Sequence, residues 1–172
     1  MNVSKVMISK EEIELKVKEI ASKIEKDYEG QELFVIGVLK GACVFVSDLI
    51  REINLPVTLD FMAVSSYGMS TESSGIVRII KDLDMDITGM NVLIVEDIID
   101  TGLTLNYLRE YLAARHVKSL KICTLLDKPQ RRKCDVLADY VGFSIEDKFI
   151  VGYGIDCKEQ YRNLSYIAAV ED

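Results

Sequence analysis

Val92-Leu93-Ile94-Val95-Glu96-Asp97-Ile98-Ile99-Asp100-Thr101-Gly102-Leu103-Thr104 is the stretch from which the fold can be worked out. Four apolar residues, three of them β-branched, open it, and such a run fits a strand buried on both faces of a parallel sheet. The strand predicted over 91–95 ends on two acids, Glu96 and Asp97. A helix is predicted near 102–114, with Leu105, Leu108 and Leu112 on its inward face. Ligands of parallel α/β sheets bind beyond the carboxyl ends of the strands, so both acids fall at the edge where a site forms. The free N–H groups of a helix start and the hydroxyls of Thr101 and Thr104 suit a phosphate. Gly102 lets the backbone approach an oxyanion closely. One loop thus offers carboxylates for a cation and sugar hydroxyls beside donors for a phosphate, which are the groups a phosphorylated sugar presents. An isolated acidic pair is more often a solvated turn, with Asp100 as a helix cap. The apolar run before the pair and the D-T-G-x-T after it favour the site. The P-loop pattern G-x-x-x-x-G-K-[ST] and the dinucleotide pattern G-x-G-x-x-G are both missing from the chain.

Working outward, Ser9-Lys10-Glu11-Glu12 has the form of a capping box opening a helix, and Ile13, Val17, Ile20 and Ile24 recur on one helical face. Gly30 marks its stop. Residues 33–38 form a second buried strand, Leu39-Lys40-Gly41 a turn, and Ala42, Phe45, Val46, Leu49, Ile50 and Ile53 a second helical face. Strands follow near 57–64, 76–81 and 119–125, with shorter extended runs near 139–143, 149–152 and 164–170. Between them, residues 65–75 hold eight Ser, Thr or Gly in eleven, the composition of a mobile loop. Strands alternating with helices imply right-handed βαβ units, hence an α/β fold with a mostly parallel sheet flanked by helices. No linker, repeat or low-complexity tract interrupts the 172 residues, so they form a single domain, 1–172.

The charge balance is −7, which argues against a general nucleic-acid binder but not against a small anionic substrate, since backbone amides and a bound metal can hold phosphate. Cys43, Cys123, Cys134 and Cys157 form no C-x-x-C pair. Cys43 and Cys123 lie in apolar runs as buried free thiols. His116 is the only histidine and is given no role. The N-terminus lacks the apolar core of a signal peptide, and no apolar run reaches the ~20 residues of a membrane span. A cytoplasmic location follows by default.

The motif at 92–104 resembles the PRPP-binding motif of the type I phosphoribosyltransferases, closest to their hypoxanthine-guanine branch. Agreeing segments lie, in order, at Leu39-Lys40-Gly41, Ser66-Tyr67, Leu126-Asp127-Lys128, Asp147 to Asp156 and Tyr161-Arg162-Asn163-Leu164, so the resemblance spans roughly residues 30–170. It implies the type I fold: a core over about 30–145, a small hood from the N-terminal segment and about 146–172, and a mobile active-site loop. It implies magnesium-dependent transfer of ribose 5-phosphate from PRPP to N9 of hypoxanthine or guanine, a purine-salvage reaction releasing pyrophosphate. The family's assemblies imply a homodimer or homotetramer.

Residue by residue, the resemblance implies that Asp100 is the general base for the purine N7 proton. Glu96 and Asp97 then hold ribose hydroxyls and metal, and Asp156 a second magnesium. Thr101, Gly102, Leu103 and Thr104 make the 5′-phosphate cradle. Lys40, Gly41 and Arg162 meet pyrophosphate, the first two in a loop where the family often shows a strained or cis peptide. Lys128 donates to the 6-oxo group, Phe149 stacks on the purine, and the Ile150 backbone contacts its edge. Ser66 and Tyr67 belong to the lid. Without the resemblance, Phe149 reads as core and Lys128 with Arg131, Arg132 and Lys133 as a solvated basic turn. Two other outcomes stay open: a different base preference such as xanthine-guanine, and a regulator of this fold that binds nucleic acid.

Overall fold

The computed structural model describes residues 2–66 and 77–171. Its strands are β1 (Asn2–Ile8), β2 (Leu33–Leu39), β3 (Val57–Ser66), β4 (Val77–Lys81), β5 (Asn91–Ile99), β6 (Ser119–Asp127), β7 (Tyr140–Ser144), β8 (Ile150–Val151) and β9 (Ile167–Glu171). Its helices are α1 (Lys10–Asp27), α2 (Cys43–Glu52) and α3 (Leu103–Ala113), with a 3-10 turn at Pro129–Arg131. Six strands form one sheet in the order β4-β3-β2-β5-β6-β7. Every neighbouring pair in it is parallel except β3 with β4. The expected α/β architecture is therefore present.

The central strand segments 33–39 and 92–95 are apolar because each is covered on both faces. Val35, Leu93 and Val95 point into a cluster with Ile13, Val17, Ile20 and Ile24 of α1 and Phe45, Val46 and Leu49 of α2. Phe34, Ile36, Val38, Val92 and Ile94 point the other way, onto Leu105, Leu108 and Leu112 of α3. Alternation along each strand thus feeds two cores at once. The helix faces read from sequence spacing are the buried ones. No helix among the described residues is long and apolar enough to cross a membrane.

Four points depart from expectation. β5 does not end at residue 95. Its ladder with β6 continues through Glu96↔Thr124, Ile98↔Leu126 and Ile99↔Asp127, so the two acids belong to the strand. Pairing with β6 outweighed the poor strand propensity of acidic residues. Cys43 is only half-buried, because it opens α2 at the sheet edge; Cys123 is buried as expected. β1 was not foreseen. It pairs antiparallel with β9, and β9 with β8, in a separate three-stranded sheet, order β1-β9-β8. Its partner is the far end of the chain, and nothing local announces such a pairing. Of the predicted loop 65–75, Ser65 and Ser66 extend β3 and pair with Arg78 and Val77. The remainder, Tyr67 included, lies outside the described residues.

Helix α1 starts where the capping box places it. The Glu12 N–H donates to Ser9 Oγ at 3.1 Å, and the Ser9 N–H donates to the Glu12 carboxylate at 2.7 Å. Two N–H groups that the first turn leaves without intrahelical acceptors are so satisfied. Replacing Ser9 by Ala is expected to cost about 1 kcal/mol of unfolding free energy, measurable by urea denaturation.

Candidate active site

The site is assembled from the carboxyl edge of the large sheet. Glu96 is 9 % exposed and Asp97 half-buried. Burial, with the charge of Asp97 beside it, holds the Glu96 carboxyl well above the ordinary carboxylate range. Burial also pushes Asp97 up to about 6. The Asp156 carboxylate adds to that shift, while the Ile98 N–H, at 2.7 Å from Oδ1, and the Arg162 charge oppose it. Two desolvated acids side by side resist ionising unless a cation or several donors come to them. Glu96 opens into a cleft of about 270 Å³ that continues along Ile99, Asp100, Thr101, Gly102 and Thr104.

The loop after β5 is stitched to the segment that follows β6. The Arg132 guanidinium donates to the Asp100 carbonyl at 2.8 Å and pairs with Asp127, while the Lys133 N–H donates to the Thr101 carbonyl at 2.9 Å. At the start of α3 the Leu103 N–H makes only a long bond, 3.4 Å, to Thr101 Oγ1, and a helix start of this kind suits an anion. Gly102 caps α3 with φ +82°, in the left-handed region. A Cβ there would meet Val136 Cγ1 at 2.5 Å and Arg132 Cδ at 2.9 Å. The glycine is thus required by backbone conformation and by packing underneath, in addition to any approach of a ligand from above.

Across the sheet edge, the turn after β2 carries Lys40 and Gly41. The Leu39–Lys40 peptide bond is cis. A Cβ on Gly41 would lie 2.0 Å from Asp97 Oδ2, so this backbone passes directly under the Asp97 carboxylate. Lys40 Nζ pairs with Glu159 at 2.9 Å. Arg162 pairs with Asp156 at 3.2 Å and Glu159 at 3.3 Å and donates to the Gly154 carbonyl at 2.8 Å. Lys40, Arg162 and Asp156, predicted from three separate segments, therefore share one cluster. Glu159, which neutralises both cations, was not singled out from sequence; only its place two residues before Tyr161-Arg162 could have suggested it.

The third side of the site follows β6. Lys128 is 7 % exposed, and its Nζ lies 3.6 Å from Asp147. Arg131 pairs with Asp100 at 2.6 Å and Asp147 at 3.3 Å. The solvated-turn reading of 128–133 therefore holds only in part: Arg131 and Lys133 are exposed, whereas Lys128 is buried and Arg132 half-buried, and Lys128, Arg131 and Arg132 are each matched to an acid. Phe149 is 56 % exposed, which overturns the core reading and leaves its ring available. Ile150 is buried and pairs with Ala169 of β9. Of the lid residues, Ser66 closes β3 and Tyr67 lies outside the described residues. Sequence reasoning gave Asp147 and Arg131 no role, because a charge's partner on another segment leaves no local trace.

Residues 7–158 match the family model described as the phosphoribosyl transferase domain. The chain belongs to the phosphoribosyltransferase family. It is 54% identical over 170 residues to the hypoxanthine-guanine phosphoribosyltransferase of Bacillus subtilis (strain 168), covering 99% of this chain and 94% of that protein. With the Mycobacterium avium protein of the same name the identity is 51% over 176 residues, 99% and 87% covered. The crystal structure of a hypoxanthine-guanine phosphoribosyltransferase from Bacillus anthracis superposes with a TM-score of 0.96 at 56% identity, covering 99% of this chain and all (100%) of that one. The two acids at the end of β5, which burial makes reluctant to ionise, are a cost to the free protein.

That cost has a sign and a pH window. A carboxyl whose folded pKa is raised binds its proton more tightly folded than unfolded, so its contribution to stability falls as pH rises from about 4 through about 6. Asp97→Asn is therefore expected to stabilise the ligand-free chain by about 1–3 kcal/mol at about pH 8, and hardly at all below about pH 4. Denaturation curves at both pH values check this.

Proposed function

We propose that the chain is a hypoxanthine-guanine phosphoribosyltransferase of purine salvage, transferring ribose 5-phosphate from PRPP to N9 of hypoxanthine or guanine and releasing pyrophosphate. The observation that carries this reading is the Glu96–Asp97 pair at the end of β5, the first acid buried and the second half-buried, flanked on one side by the α3 helix start and on the others by Lys40–Arg162 and by Lys128. Sugar hydroxyls, 5′-phosphate, pyrophosphate and base each find a matching group around those two carboxylates.

In this reading Thr101, Gly102, Leu103 and Thr104 hold the 5′-phosphate, and Glu96 and Asp97 the ribose hydroxyls. Lys40, Gly41 and Arg162 receive pyrophosphate, whose charge displaces Glu159 from the two cations. Lys128 donates to the 6-oxo group, Phe149 stacks on the ring and the Ile150 backbone meets its edge. Asp100 takes the N7 proton as the C1′–oxygen bond breaks and the N9 bond forms. Ser66 and Tyr67 close over the site to keep water from the cationic sugar. Adenine presents an amino donor to the Lys128 donor, and a buried donor left unpaired is costly, so adenine is rejected.

Magnesium suits this donor set. The described residues contain no group of three or more His, Cys, Asp or Glu placed to hold a metal. Mg²⁺ keeps waters and shares substrate phosphates, so one or two carboxylates suffice. Glu96 and Asp97 would hold one ion and Asp156 a second, and acids that burial makes reluctant to ionise favour a hard cation beside them. When bound, the metal offsets the charge gathering on the departing pyrophosphate. The reading takes the chain as one domain, with the small sheet as hood, in a cytoplasmic homodimer or homotetramer. The pairing of Lys128, Arg131 and Arg132 with acids argues against a nucleic-acid-binding regulator.

Pyrophosphate release from PRPP and Mg²⁺ with a panel of bases tests the proposal. Hypoxanthine and guanine should exceed adenine in kcat/KM by more than about 10³-fold, and adenine as the best substrate would overturn it. Asp100→Asn should lower kcat by about 10²- to 10⁴-fold while PRPP still binds.

A further inference from the structure

We propose that Arg131 is a positioning residue for the transfer reaction, bridging Asp100 and Asp147 so that the carboxylate receiving the purine proton is held in one orientation. The inference rests on the assignment of Asp100 as general base. Arg131 Nε lies 2.6 Å from Asp100 Oδ1, and its Nη1 lies 3.3 Å from Asp147 Oδ2. The other Asp147 oxygen faces Lys128 Nζ at 3.6 Å. Asp100, Arg131, Asp147 and Lys128 thus form a chain of alternating charge. It runs from the group that takes the N7 proton to the group that recognises the 6-oxo oxygen.

The backbone fixes where Arg131 stands. It ends the 3-10 turn Pro129–Arg131, and that turn is tied to the phosphate loop on both sides. The Lys128 N–H donates to the Ile99 carbonyl at 2.9 Å, and the Lys133 N–H to the Thr101 carbonyl at 2.9 Å. A side chain midway between these ties reaches Asp100 from a rigid base. Arg131 engages the Asp100 carboxylate through Oδ1, leaving Oδ2 for the purine.

Stability does not account for the pair. Arg131 and Asp100 side chains are 42% and 46% exposed, and exposed ion pairs contribute little to folding. Orientation accounts for it better. A planar guanidinium offers donors in fixed directions and can engage two carboxylates together, which an ammonium does less well. A base displaced slightly from its proton loses much of its effect. A purine drawing Lys128 to its 6-oxo oxygen also leaves Asp147 to Arg131 alone, so recognition of the base bears on the group that deprotonates it.

A double-mutant cycle tests this, with steady-state kinetics of the wild type, Arg131→Ala, Asp100→Asn and the double variant, plus Arg131→Lys. Arg131→Ala should lower kcat about 10-fold, leave KM for PRPP within about two-fold and leave the melting temperature unchanged. In the Asp100→Asn background the same change should have no further effect, because Arg131 acts through Asp100. Arg131→Lys should recover part of the loss. An unchanged kcat, an equal loss in both backgrounds, or a large rise in KM for PRPP would overturn the proposal. If Asp100→Asn itself retains full turnover, the general-base assignment fails, and that result is distinct from a failure of Arg131 alone.

Discussion

Two carboxylates extend a strand whose preceding residues have excluded water, and most of the site answers to their charge. Glu96 continues the ladder of β5 with β6, and Asp97 lies within the strand between the paired Glu96 and Ile98. Burial raises both pKa values, so the free protein bears an unfavourable pair of acids. Such an arrangement persists where a ligand supplies the missing partners; in the proposed function these are hydroxyls and a hard cation. The turn at Lys40–Gly41 passes beneath one of these acids with no room for a side chain.

Around this centre the cations are balanced before any ligand arrives. Lys40 and Arg162 share Glu159, Lys128 and Arg131 share Asp147, and Arg132 holds Asp127. A chain of net charge −7 can therefore present local positive charge to phosphates without a basic surface. Under the proposed function the pairs also give specificity a structural form, since an anion would have to outcompete a carboxylate already in place, and a base to draw Lys128 from Asp147.

The large sheet makes this possible by being buried on both faces. With α1 and α2 on one side and α3 on the other, the strand ends are fixed to the accuracy of core packing. Groups from β2, β5 and β6 then meet at one edge. The small sheet β1-β9-β8 joins the chain's two ends and brings Phe149, Ile150 and the segment up to Arg162 toward that edge.

Much of this was legible in the residues themselves. Apolar periodicity, the capping box at Ser9 and the buried runs at 33–38 and 91–95 are local signals, and local signals survive in a one-dimensional string. The motif from Glu96 to Thr104 was legible for the same reason, since one loop contains carboxylates, hydroxyls and a helix start together. The continuation of β5 past its acids, the strand β1, and the partners of Arg131 and Glu159 were not. Each depends on a contact between segments distant in sequence: β6 beside β5, β9 beside β1, Asp100 and Asp147 around one guanidinium. Residue type and spacing decide which elements form and which groups are available, whereas desolvation and charge pairing arise only once the chain has closed around them.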